Sequence, residues 1–188
     1  MSSRTVHPPP ADEAYVSAVF RHVANDLGMI LGQELSFEDE RAERVSARPA
    51  GPGQVHISFK FALLGADGAE RHGALLVPLP DAIAMACFLL MIPEETVTPW
   101  RQVTTIDPAL KDAMLEIGSM VGSAMGSALK ELELAGWSAR TAGCQGVRAD
   151  VRPAFPYAEG SDLVVGRART QLARFAPFEL ILMLPALG

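Results

Sequence analysis

Asp112, Glu116, Ser119, Ser123, Ser127 and Lys130 recur through DPALKDAMLEIGSMVGSAMGSALKELE, residues 107–133, at intervals that bring them onto one side of a helix. Short side chains around one carboxylate, Glu116, make a flat polar face, and such a face suits docking. Glycines 118, 122 and 126 lie on its flank. Each costs about 1 kcal/mol relative to alanine inside a helix, so three of them imply close approach by another surface. That surface is either a neighbouring element of the same fold, since small residues let backbones meet, or a partner.

The helix that positions these residues has a clear start. Asp107 can cap the first free amides, and Pro108 fits the first helical position, where its missing N–H does no harm. Leu110, Met114, Ile117, Val121, Ala124, Met125, Ala128 and Leu132 fall on the opposite side and are expected to pack into a core. Asp112 and Glu116 interrupt the apolar run, so the segment is not a membrane span.

Other elements follow from periodicity and punctuation. Residues 1–10, polar and proline-rich, read as a disordered tail. Tyr15, Val19, Val23, Leu27, Ile30 and Leu31 recur at helical spacing, giving a first amphipathic helix over about 11–33, after which residues 39–53 break the pattern. Val55 to Leu63 alternate apolar with His56, Ser58, Lys60 and Ala62, the period of a half-buried strand. GADG at 65–68 supplies a turn, and residues 71–77 return as the antiparallel partner. DAIAMACFLLMI, from Asp81 to Ile92, reads as a buried helix, and residues 93–106 as a linker. Beyond Gly136, three strands are expected over about 137–151, 162–171 and 178–184. This order suggests a single α+β domain over 11–188, a mostly antiparallel sheet covered by helices that include one long central helix.

Composition narrows the function. The net charge is −6 over 188 residues, and no lysine or arginine cluster tracks a phosphate backbone, which argues against nucleic acid. Cys87 and Cys144 have no CxxC spacing, and the N-terminal stretch lacks an apolar signal core, so a reducing cytoplasm is the expected compartment. P-loop, GxGxxG, GxSxG and HExxH motifs are absent. The four histidines, His7, His22, His56 and His72, form no ligand spacing; no metal of its own is expected, and His56 and His72 are expected to face solvent on their strands. Cys87 reads as a small core residue.

The segment DAMLEIGSMVGSAMGSAL resembles the active helix of the CheC/CheX/FliY group of chemotaxis phosphatases. Its pattern there is Asp or Ser, Glu four positions on, Asn three further, then glycine and small residues. Asp112, Glu116 and Gly122 match, Ser119 stands at the Asn position, and GALLVPLPDAIAMACFLLMI is similar to the strand-then-helix unit of the CheX-like branch. The resemblance covers about residues 11–186. It implies a CheX-like domain that docks on a phosphorylated CheY-like response-regulator receiver, with Asp112, Gly122 and Ser123 in the docking face. By the same resemblance Glu116 engages the receiver's active-site lysine, Ser119 takes the place of the water-orienting Asn, the Mg²⁺ belongs to the receiver, and the chain is a homodimer. His22-Val-Ala-Asn25, followed by Gly28, is a degenerate echo of the same spacing, with histidine where the Glu would be; it reads as helix surface rather than a second site.

Three readings stand at this point. The chain is an aspartyl-phosphate phosphatase using Glu116 and Ser119, a noncatalytic module that binds a receiver or joins a flagellar-switch assembly, or a structural dimer packed through its glycines. Residue 119 separates the first two.

Overall fold

The computed structural model describes residues 10–187. The tail expected over 1–10, and His7 with it, lies outside the described residues apart from Pro10.

The chain begins with helix α1 (Asp12–Leu31), which buries Tyr15, Val19, Phe20, Val23 and Leu27 and ends on Gly32 in the left-handed conformation. It turns into strand β1 (Leu35–Val45). Strands β2 (His56–Leu64) and β3 (Glu70–Pro78) form the expected hairpin, and helix α2 (Leu79–Leu89) follows without a break. A short helix α3 (Glu94–Trp100) leads to the long helix α4 (Pro108–Glu131). Strands β4 (Ser138–Val147), β5 (Leu163–Leu172) and β6 (Phe178–Pro185) complete the fold.

The six strands form one sheet in the order β1-β5-β6-β3-β2-β4, and every pairing is antiparallel. The helices share one face of it: α1 packs on β1 and β5, α4 on β4 and β2, and α2 lies beside α4 over β2 and β3. Between helices and sheet sits the main core, with Phe59, Phe61, Leu75, Val77, Leu180 and Leu182 contributed by the strands. The opposite sheet face holds a smaller cluster of Ala74, Leu76, Val165, Ile181 and Met183, capped by Phe155 from the loop after β4. Arg48 fastens that loop: it donates to the Pro153 carbonyl at 2.9 Å and stacks on Phe155 and Tyr157, 5.6 and 5.3 Å from the two ring centroids.

Two elements depart from the sequence expectation. Residues 39–53 were expected to be irregular, but β1 continues to Val45. A bulge between Glu38 and Arg41, with Asp39 at φ 52°, breaks the alternation that would have revealed the strand. The linker over 93–106 contains α3, whose two prolines fall at positions a short helix tolerates, Pro93 at the N-cap and Pro99 inside the last turn.

Candidate functional site

Local chemistry fixes the start of α4. The Asp107 carboxylate accepts from the Leu110 amide at 2.8 Å, and Pro108 occupies the first turn. Seven of the eight residues expected inside are buried, Leu132 just beyond the helix being half-buried, and Ala113, Gly118, Gly122 and Leu129 join them.

That last group changes the meaning of the glycines. A Cβ at Gly122 would lie 2.8 Å from the Thr141 amide nitrogen and 3.1 Å from the Arg140 carbonyl carbon, so only glycine lets α4 rest on the backbone of β4. At Gly118 the neighbours Thr141 and Phe59 stand at 3.5 and 3.6 Å, ordinary contact, whereas nothing lies within 4 Å of a Cβ at Gly126. Gly122 was expected in the docking face. It is buried under the chain's own edge strand and is not available to a partner. The same packing closes Gly118 and Gly122 to a second copy, so a dimer through the glycine stripe is excluded for those two positions.

The polar face is otherwise where the spacing put it. Asp112, Glu116, Ser119 and Ser123 are exposed on α4, with Ser127 half-buried and Lys130 exposed near its end. Neither Asp112 nor Glu116 has a hydrogen-bond or ion-pair partner among the described residues. On a helix, residues 116 and 119 stand as neighbours about 5–6 Å apart at Cβ. The Ser119 hydroxyl donates to the Leu115 carbonyl at 3.2 Å, which commits its proton and leaves its lone pairs to accept. Leu115, exposed in the same face, had no part in the sequence reading. Its signal was present: an apolar residue out of phase with the buried positions.

His22 is engaged elsewhere. Its Nε2 lies 2.8 Å from Glu131, which Arg21 also pairs, so the degenerate motif on α1 ties α1 to the end of α4.

A second cluster of ionisable groups lies at the other end of α2. Asp81 is 4% exposed and accepts from Arg101 Nη2 at 2.6 Å, while the Arg101 guanidinium stacks 4.3 Å from the centre of Phe175. Burial pushes the Asp81 carboxyl up to about 6, against the pull of Arg101. His56 was expected to face solvent; it is 3% exposed beside a pocket of about 260 Å³ that Asp81 and Arg101 also line, and its Nδ1 donates to the Gln54 carbonyl at 2.9 Å. Gly51 packs on the His56 ring, and burial lowers the imidazole pKa. His72, half-buried, pairs with Glu70 at 3.1 Å. The sequence reading missed the Asp81–Arg101 pair, whose one clue was an aspartate opening a very apolar helix.

Cys87 is buried, as expected, and its thiol is pushed up to about 11 by burial. Among the described residues no group of three or more His, Cys, Asp or Glu could hold a metal ion, and no helix is long and apolar enough to cross a membrane.

No family model matches the chain, and no curated protein sequence does. Solved structures do. FliY from Thermotoga maritima superposes at a TM-score of 0.64 with 15% identity, over 96% of this chain and 93% of that one. The chemotaxis protein CheX from Desulfovibrio desulfuricans does so at 0.56 with 15% identity, over 89% and 97%. A chain in the FliG–FliM complex from H. pylori reaches 0.64 with 9% identity, over 92% and 90%. At these identities the likeness is one of architecture: the chain has the CheC/CheX/FliY-type fold.

Proposed function

We propose that α4 docks on the phosphorylated receiver domain of a CheY-like response regulator and acts weakly on its aspartyl phosphate. The observation that carries this reading is the exposed, unpartnered Glu116 carboxylate with Ser119 one turn along the same face, on the central helix of this fold. Glu116 meets the receiver's active-site lysine. The Ser119 oxygen, which still has lone pairs free, accepts from a water and holds it for in-line attack on the phosphorus. Mg²⁺ is held by the receiver and neutralises charge on the phosphoryl oxygens.

The rate is expected to be low. A serine hydroxyl lies nearer the backbone than an asparagine amide, and a misplacement of about 1 Å costs about 100-fold. Loss of phosphate from a phosphorylated receiver, followed with and without the protein, tests the reading. Acceleration that Glu116→Ala abolishes and Ser119→Asn increases is the expected result; no acceleration at micromolar protein removes the catalytic part.

A noncatalytic role is the second reading, favoured by the same Ser119 hydrogen bond, because a hydroxyl turned onto its own helix is poorly placed for a water. A flagellar-switch or receiver-binding module then shows phosphorylation-dependent association without faster turnover. Homodimerisation belongs to either reading and is checked by sedimentation.

A further inference from the structure

The docking face contains one large apolar side chain that the fold does not use. Leu115 is 41% exposed, while the opposite side of α4 is filled by Leu110, Met114, Ile117, Val121 and Met125. Single exposed leucines are common on protein surfaces and need no purpose. This one stands between Asp112 and Glu116, two carboxylates without partners, and its carbonyl is the acceptor that holds Ser119. Helical geometry puts it on the flank nearer β4, one turn before Gly118. Exposed Lys111, Asp112, Glu116 and Ser119 border it on the sides away from that flank, and an apolar residue with a polar and charged border is the pattern of an energetic centre with its rim.

From this arrangement we infer that Leu115 is the apolar anchor of receiver docking, seated in a shallow apolar depression within one helical turn of the cation that Glu116 meets. The inference rests on the receiver reading above. Charge complementarity selects the occupant: Asp112 and Glu116 call for a lysine or arginine beside the depression, and the exposed Lys111 one turn before Leu115 calls for an acidic group next to it. Leu115 touches no reacting atom. It sets affinity and partner choice, leaving the chemistry to Glu116 and Ser119.

The test uses the full chain and the CheY-type receivers of the same genome, each loaded with beryllofluoride as a stable stand-in for the phosphoryl group. Dissociation constants are measured for wild type, Leu115→Ala and Leu115→Met, with melting temperatures alongside. Leu115→Ala is expected to weaken binding by roughly tenfold at an unchanged melting temperature, and Leu115→Met to keep affinity within about threefold. If wild type binds no loaded receiver, the docking reading falls and the anchor with it. If wild type binds and Leu115→Ala stays within twofold, the anchor alone is overturned. Should Leu115→Ala melt early, the Leu115 methyl resonances of wild type decide: a shift on adding receiver supports the anchor, and unchanged signals overturn it.

Discussion

Two glycines four residues apart in the same helix, Gly122 and Gly126, do opposite things. At Gly122 a methyl group meets the Thr141 and Arg140 backbone, so Gly122→Ala is expected to destabilise the fold by about 1–3 kcal/mol in denaturant titration. At Gly126 a methyl group meets nothing, and Gly126→Ala is expected to add about 1 kcal/mol of helix stability. Sequence alone made these positions equivalent, because helical spacing reports which residues share a flank and says nothing about the strand that covers part of it. Asp81 was illegible for a related reason: its partner Arg101 lies 20 positions away, across an intervening helix. Its folded pKa of about 6 exceeds the ordinary 3.8. The stabilisation linked to its protonation is therefore present below the unfolded value and is lost as pH rises through about 6. Melting temperatures of wild type relative to Asp81→Asn should accordingly rise as pH falls from 7 to 4. A constant difference would show that the carboxyl does not titrate in that window.

Among the elements, the hairpin, α2, α4 and the last three strands follow from alternation, helical period and turn residues. β1 did not, although its pairing with β5 runs from Leu35 with Leu172 to Val45 with Leu163. Leu35 and Phe37 point to the helices, the bulge resets the parity, and Ala42 then points inward in their place. Its other side carries Glu38, Arg41 and Glu43, matched by Arg169, Glu179 and Arg167 across the sheet. Such charge on an edge also discourages pairing with other chains. Asp39 sits at φ 52°, a conformation glycine adopts without strain, so Asp39→Gly is expected to be neutral or stabilising by up to about 1 kcal/mol, and Asp39→Val destabilising. Chemical denaturation of the two variants separates these outcomes.

Over the whole molecule, a single sheet with β6 and β3 at its centre and β1 and β4 at its edges should open unevenly. Amide exchange is expected to be slowest at Leu75, Leu182 and their neighbours and fastest along the outer edge of β1 and of β4, where α4 rests. A profile with β4 as protected as β6 would mean that its free edge is covered in solution. The overall architecture was readable because the order of helices and strands leaves few ways to cover one antiparallel sheet. The helix face could be found because its residue types repeat; the strand that covers Gly118 and Gly122 on its flank could not, because it comes later in the chain and carries no mark of that contact.

The register of Leu35 with Leu172 also bears on how the chain reaches this state. The second element in sequence has its one sheet neighbour among the described residues near the other end of the polypeptide. During synthesis β1 emerges more than a hundred residues before β5, so although α4 can cover α1 earlier, β1 must wait without its sheet partner until almost all of the chain has left the ribosome. Such distant pairing is expected to slow folding, and the six charges in FEDERAER, residues 37–44, oppose association of that segment with other chains in the meantime.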